Sequence, residues 1–248
     1  MKLKLLGAGV MVALAGCQSD DGVAIAEMDP AQATLSGEAC PDVGEAAYFF
    51  WMSPVSAEPG QKIGLSPYWT DMPGGFNPLP AGCVDDVSAH PDGAVNLTRT
   101  DNGLALVEIA EGAEAGTRIH LTATYNGHGL IGLVDVYRAA DNPLVGRWRQ
   151  DSGSCAPGSA VQELVFTGSG DFSVTWTPFE AYKDYWGSYT YDADTGAVSF
   201  EIESGNQTPE DVVLEGAAQV SGDELSFDGV SFGTPRNAES ACRGKFLR

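Results

Sequence analysis

Apolar and polar residues alternate along much of the chain, in short runs that turn-forming residues interrupt. The clearest run is 117–125, where Ile119, Leu121, Ala123 and Tyr125 share one face and polar residues occupy the other. A period of two is typical of a β-strand with one buried face. Between residues 40 and 140 we predict seven such strands, at 46–52, 61–69, 84–88, 94–99, 104–109, 117–125 and 130–138. Seven short strands with frequent turns favour a β-sandwich.

A second series of strands follows Asp141-Asn142-Pro143, which breaks the pattern. Eight strands are predicted here, at 145–150, 162–167, 172–177, 187–192, 197–203, 212–220, 224–228 and 243–247. Eight strands joined by short turns fit a small up-and-down antiparallel barrel, whose closure leaves no exposed edge. We therefore predict an all-β protein, with a β-sandwich at 40–140 and a β-barrel at 141–248.

The beginning of the chain has the pattern of a secretory signal. Lys2 and Lys4 precede an apolar run at 5–13 that is too short to span a bilayer. The following Leu14-Ala15-Gly16-Cys17 resembles the lipobox of bacterial lipoproteins. The resemblance implies a signal peptide at 1–16, cleavage behind it, and membrane attachment through acyl chains such as palmitate on Cys17. A non-lipidated signal with an unrelated cysteine is the alternative.

The residues after the lipobox bear on location. In lipoproteins the residue after the acylated cysteine influences sorting, and Gln18 favours the outer over the inner membrane. Residues 17–39 are small, polar and acidic without a sustained period, which predicts a flexible tether. We expect a lipid-anchored protein of the cell envelope, held in the periplasm or at the surface.

Two turns in the sandwich region carry a family resemblance. Glu58-Pro59-Gly60-Gln61 and the stretch from Glu114-Ala115-Gly116-Thr117 to Tyr125-Asn126-Gly127 resemble bacterial Ig-like domains. The resemblance implies a spacer or adhesion module at 40–140 without catalytic activity.

The barrel region begins with a second resemblance. Gly146-x-Trp148 on the first predicted barrel strand is similar to the lipocalin and wider calycin pattern. The resemblance implies that Trp148 packs across the barrel floor and that an arginine near the last strand covers it through a cation–π contact. Arg243 and Arg248 are both placed for this role.

The charge balance excludes one class of partner. The chain has 34 acidic and 13 basic residues, a formal net charge of −21. Nucleic-acid binding needs clustered Lys and Arg, whereas the basic residues here are mostly scattered. We expect no nucleic-acid partner. The acidity is typical of a soluble exposed surface, with capture of a basic partner or of divalent cations as the alternative.

Four cysteines are left once Cys17 is assigned to lipidation. An even number in an exported protein predicts disulfides, and three connectivities are open. The division at residue 141 places two cysteines in each part, which selects Cys40 with Cys83 and Cys155 with Cys242.

A metal site is the alternative for these cysteines. The sequence contains no Cys-x-x-Cys, and His90, His120 and His128 are dispersed along the chain. His120 falls on the polar face of its predicted strand, as a surface residue. We predict no metal and no cofactor.

Aromatic residues are concentrated between residues 174 and 192. The candidate ligand-binding residues are Trp176, Phe179, Tyr182, Tyr185, Trp186 and Tyr189. The connection at 178–186 is long for a hairpin, which is consistent with a lid over the barrel mouth. These aromatic side chains either fill and cap the barrel or line a site for an apolar ligand or a glycan.

Catalytic patterns are weak. Glu180 and Asp184 are a carboxylate pair that glycan hydrolysis would require at a defined separation. The only Gly-x-Ser-x-Gly match, at 229–233, does not lead into a predicted helix and so is no nucleophile elbow, and no phosphate-binding glycine loop precedes a helix. The leading hypothesis is therefore a non-enzymatic binding or structural lipoprotein. The alternatives are a carrier of a small apolar ligand in the barrel and a weak glycan-acting hydrolase.

Overall fold

Nearly all regular structure in this protein is β. The computed structural model describes residues 40–43, 49–71, 77–99, 105–179 and 182–248. Within these ranges the helical structure is limited to two 3-10 turns, Ala81–Cys83 and Ser152–Ser154. The strands of the first half are β1 (Phe49–Met52), β2 (Val55–Ala57), β3 (Lys62–Gly64), β4 (Pro67–Thr70), β5 (Asn77–Pro78), β6 (Asp85–His90), β7 (Val95–Arg99), β8 (Ala105–Ile109), β9 (Arg118–Tyr125) and β10 (His128–Val136). Those of the second half are β11 (Gly146–Gln150), β12 (Glu163–Phe166), β13 (Asp171–Thr175), β14 (Tyr185–Tyr191), β15 (Ala197–Gly205), β16 (Glu215–Ser221), β17 (Glu224–Asp228) and β18 (Phe246–Leu247).

The first ten strands form an Ig-like β-sandwich. One sheet has the order β3-β8-β7 and the opposing sheet the order β2-β10-β9-β6. These are the B-E-D and C-F-G arrangements of the immunoglobulin fold. Strand β2 extends the second sheet by pairing parallel with β10. A smaller sheet, β1-β4-β5, packs against β10. The predicted sandwich fold is confirmed.

Strand β9 shows why the alternation was informative. Ile119, Leu121, Ala123 and Tyr125 are all buried, and the residues between them are exposed or half-buried. Since successive side chains of a strand point to opposite faces, the apolar set enters the core between the sheets.

The predicted strand 61–69 is wrong as a single element. The chain forms β3, breaks at Leu65 and Ser66, and then enters a different sheet as β4. Pro67 has no N–H to donate to a ladder, which explains why β3 does not continue through it. Strands β2 and β5 were not predicted. Part of the predicted strands 46–52 and 104–109 lies outside the described residues.

The second half forms a closed eight-stranded antiparallel barrel. Each strand from β11 to β17 pairs with the next one along the chain, and β18 returns to pair with β11. The predicted up-and-down barrel is confirmed, with all eight strands near their predicted positions. The last strand is shorter than predicted, at two residues. This half has its own hydrophobic core, separate from that of the sandwich.

Both predicted disulfides are confirmed. Cys40 is bonded to Cys83 with a Cα–Cα distance of 5.6 Å, and Cys155 to Cys242 with 5.0 Å. These distances are normal for disulfides. The second bond joins the loop after β11 to the segment before β18, and so reinforces the closure of the barrel.

The hairpin between β12 and β13 contacts the sandwich. The Gly168 N–H donates to the Ser56 hydroxyl at 2.9 Å. A Cβ at Gly168 would lie only 3.0 Å from the Asp135 carbonyl oxygen, so a larger residue here would push the two backbones apart by a few tenths of an ångström. Arg118 spans the junction, donating from Nε to Asp135 at 2.7 Å and from Nη2 to Asp171 at 3.1 Å. The hydrogen bond that Arg118 donates to Asp135 is the main cause of the raised pKa of Arg118.

Candidate functional site

The six candidate aromatic residues separate into two groups. Trp176, Tyr185 and Tyr189 are buried inside the barrel, with exposed fractions of 6%, 0% and 6%. Phe179 and Tyr182 are exposed, and Trp186 is half-buried on the outer side of β14. Strand alternation explains the split along β14, since residues 185 and 189 face inward and 186 faces outward. The fold therefore does not bring all six together in one pocket.

The two buried tyrosines are held by hydrogen bonds. The Tyr185 hydroxyl donates to the Phe232 carbonyl at 2.9 Å. The Tyr189 hydroxyl donates to the Thr167 carbonyl at 2.9 Å and accepts from Asn142 Nδ2 at 2.8 Å. Burial raises the pKa of Tyr189 to about 12 and that of Tyr185 still further. Both hydroxyls are thus neutral structural groups that anchor the barrel core.

Asp184 accepts hydrogen bonds from two residues that lie between β13 and β14. Its side chain is 5% exposed. One carboxylate oxygen accepts from the Trp176 backbone N–H at 2.7 Å, and the other accepts from the Tyr182 hydroxyl at 3.1 Å. Burial and the Asp184 charge raise the pKa of Tyr182. Glu180, the second member of the carboxylate pair, lies outside the described residues.

Aromatic side chains fill the interior of the barrel. Successive rings contact one another mostly edge to face, at centroid separations of 4.8 to 6.4 Å. They belong to Phe166, Phe172, Tyr185, Tyr189, Phe200, Phe227, Phe232 and Phe246. These side chains therefore occupy the interior volume in which a barrel could otherwise hold a ligand. An open groove of about 430 Å³ lies instead beside strands β14 to β16, and Tyr191, Asp192 and Glu215 are among its lining residues.

Phe232 is a core residue that sequence reasoning missed. It follows β17 in irregular structure, yet it is 6% exposed and contacts Phe227 and Phe246. Its carbonyl also holds the Tyr185 hydroxyl. The apolar pair Val230 and Phe232 was the available signal, but no strand period surrounds it.

The barrel floor matches the predicted tryptophan–arginine contact. Trp148 is fully buried, and its indole N–H donates to the Leu144 carbonyl at 2.7 Å. The guanidinium carbon of Arg248 lies 4.1 Å from the centre of the indole ring. Of the two arginines that the sequence left open, Arg248 forms the contact. Arg243 is exposed and has no hydrogen bond or ion pair with a described residue.

Arg248 also binds the segment that leads into the barrel. Its Nη2 donates to the Pro143 carbonyl at 2.7 Å and to the Val145 carbonyl at 3.0 Å. The guanidinium passes over Gly146, whose φ of 131° suits glycine and strains other residues. The Gly-x-Trp pattern thus has a local explanation: Gly146 is suited to its backbone conformation, and Trp148 supplies the ring that Arg248 covers.

The described ranges contain neither a cluster of metal ligands nor a membrane-spanning helix. No three His, Cys, Asp or Glu side chains come together there in a way that would hold a metal ion. A helix with the length and apolarity needed to cross a bilayer is likewise absent from these ranges.

The fold and the site define an all-β protein that joins an Ig-like β-sandwich to a closed, aromatic-filled barrel. No family model and no curated protein matches the chain. Similar solved structures include the titin M3 domain, 12% identical over 37% of this chain and 97% of that one, with a TM-score of 0.22. The titin domains Z1Z2 in complex with telethonin are 15% identical over 74% and 81%, with a TM-score of 0.23. The DIP-gamma Ig1 and Ig2 domains are 11% identical over 81% and 83%, with a TM-score of 0.22. At such scores the Ig-like assignment depends on the strand order described above.

Proposed function

We propose that this chain is a lipid-anchored lipoprotein of the cell envelope whose folded part is a non-enzymatic binding or structural module. The filled interior of the barrel is the observation that supports a non-enzymatic binding or structural module. Aromatic rings occupy the volume in which a carrier would hold its ligand. The carboxylate that a hydrolase would use, Asp184, accepts hydrogen bonds on both oxygens from neighbouring groups of its own chain segment.

The anchor in this proposal is Cys17. Support comes from the resemblance of Leu14-Ala15-Gly16-Cys17 to a lipobox. A chain with a net charge of −21 is repelled by anionic lipid headgroups, so retention at a membrane would depend on acyl chains rather than on surface electrostatics.

Metabolic labelling tests the anchor. The full chain is expressed in a bacterium that processes lipoproteins, with an alkyne-tagged palmitate analogue in the medium. We expect the protein to carry the label and to fractionate with membranes, and Cys17→Ser to lose both properties. Gln18→Ser is the matched control and keeps the label. A wild-type protein that is unlabelled and soluble would show that the anchor is absent.

Binding by the folded part would occur on its outside. Phe179 and Tyr182 are the exposed members of the candidate set, at 68% and 40%, and the Tyr182 hydroxyl donates to the buried Asp184. Exposed aromatic rings suit stacking on a sugar or contact with an envelope protein.

Co-sedimentation with purified cell-wall glycan tests the glycan form of this binding. We expect Phe179→Ala and Trp186→Ala to weaken co-sedimentation without lowering the melting temperature, because neither residue belongs to the barrel core. Phe49→Ala removes a ring that is 75% exposed on the sandwich and serves as the matched control. If Trp186→Ala unfolds the barrel, its ring is a packing element. If no variant alters co-sedimentation, the glycan role is wrong.

A further inference from the structure

The fold places two of the three histidines directly opposite each other. His90 ends β6 and His120 lies in β9, and these neighbouring antiparallel strands pair the two residues in register. Directly opposite residues of an antiparallel pair have Cβ atoms about 4.5–5.5 Å apart, with both side chains on the same face of the sheet. That separation suits two imidazoles that bind a single ion.

The two side chains lie on the solvent side of the sheet. Both histidines are exposed, whereas their neighbour Leu121 faces the core. In the adjacent row of the same face, the hydroxyls of Ser88 and Thr122 are 2.7 Å apart, so side chains of these two strands do meet. Neither imidazole has a hydrogen bond or ion pair with a described residue. Both rings are therefore free to rotate towards a shared ion.

The charges around the pair do not oppose a cation. Arg118 lies on the same face of β9, two positions before His120. Arg118 is paired with both Asp135 and Asp171, so the three groups together carry one negative charge. The whole chain has a net charge of −21, which raises the local concentration of cations.

We propose that His90 and His120 form a surface site for a divalent late transition-metal ion, of the class of Cu²⁺, Ni²⁺ and Zn²⁺. Imidazole nitrogen is a preferred ligand for these ions and a poor one for Mg²⁺ and Ca²⁺, which select oxygen. Since no third metal-binding side chain joins the pair among the described residues, water completes the coordination. The site is thus an exchangeable one, unlike the closed sites that hold structural zinc. It is independent of the function proposed above.

Histidine NMR spectra provide the direct test. The full chain, purified without a histidine tag and with its disulfides intact, is titrated with Cu²⁺ alone. We expect the ring resonances of His90 and His120 to broaden together at low stoichiometry. His128 stacks on Phe50 at 4.6 Å and lies away from the pair, so its resonances are expected to persist.

Affinity measurements on variants complete the test. We expect His90→Ala and His120→Ala each to lower Zn²⁺ and Cu²⁺ affinity by at least about tenfold, because loss of even an outer-sphere partner costs that much. His128→Ala is the matched control and leaves affinity unchanged, as does a large excess of Mg²⁺. Equal broadening of all three histidines, or full affinity in the His90→Ala/His120→Ala double variant, would overturn the proposal. Circular dichroism confirms folding, which these exposed positions do not affect.

Discussion

Replacement of Arg248 by alanine is the sharpest stability prediction for this fold. The side chain makes three contacts that alanine cannot make: it covers the Trp148 ring at 4.1 Å and donates to two backbone carbonyls, those of Pro143 and Val145. All three contacts join the segment after β18 to β11 and the residues just before it, so the variant would loosen both of these parts of the barrel.

The magnitude follows from these contacts. A cation–π contact of a partly exposed arginine contributes about 1 kcal/mol. A hydrogen bond from a charged donor contributes about 1.5–3 kcal/mol when buried, and we take about 1 kcal/mol each because Arg248 is exposed. Arg248→Ala should therefore lower the free energy of unfolding of the barrel by about 3 kcal/mol. Arg248→Lys should lose somewhat less, because it keeps the charge near the ring but lacks the planar fork.

Urea unfolding combined with amide hydrogen exchange measures the effect. The sandwich and the barrel have separate cores, so exchange of β11 and β18 amides isolates the barrel from the rest. Arg243→Ala is the matched control, and we expect a change of under about 0.5 kcal/mol. An Arg248→Ala protein as stable as the wild type would refute the reasoning. So would an Arg248→Lys protein of wild-type stability, since the fork would then have no role.

The remaining predictions concern the barrel as well. Replacing Cys155 and Cys242 by serine together should cost about 4–5 kcal/mol in the chain-entropy treatment, because the bond spans 87 positions; urea midpoints of the double variant check this. Tyr185→Phe should cost about 1–2 kcal/mol, since it leaves a buried carbonyl without its donor, and an unchanged melting temperature would contradict this. Hydrogen bonds from the Thr234 hydroxyl and backbone N–H lower the pKa of Asp211. Its stabilising contribution is therefore complete above the ordinary aspartate pKa of about 4 and lost as the pH falls through the lower folded value, so acid unfolding of Asp211→Asn should lack that component.

Local patterns were sufficient for most of the fold. Strand positions depend on a period of two and on the turn residues between runs, both of which are visible in the sequence, as in 117–125. The disulfide pairs followed from dividing four cysteines between two parts. The error at 61–69 arose because one continuous β-prone run supplies strands to two different sheets. This division is visible only in the pairing of β3 with β8 and of β4 with β1.

The candidate site was predicted less well, for a physical reason. The sequence determined that aromatic residues are concentrated at 174–192, but whether each ring faces in or out depends on the register of β14 and on its neighbours. Burial of Tyr185 also depends on Phe232, which is 47 positions away and belongs to no strand.

The all-β class, the cysteine pairs and the excess of acidic residues could be predicted from the sequence, and the resemblance at Gly146-x-Trp148 left two arginines as partners of the tryptophan. Only the folded chain shows that Arg248 is that partner, that side chains fill the barrel, and that His90 and His120 are opposite each other. Alternation along a strand is a property of residues that are adjacent in the chain, so it can be recognised from the sequence. Contacts across strands depend on register between distant segments, and that register is set only when the whole sheet forms.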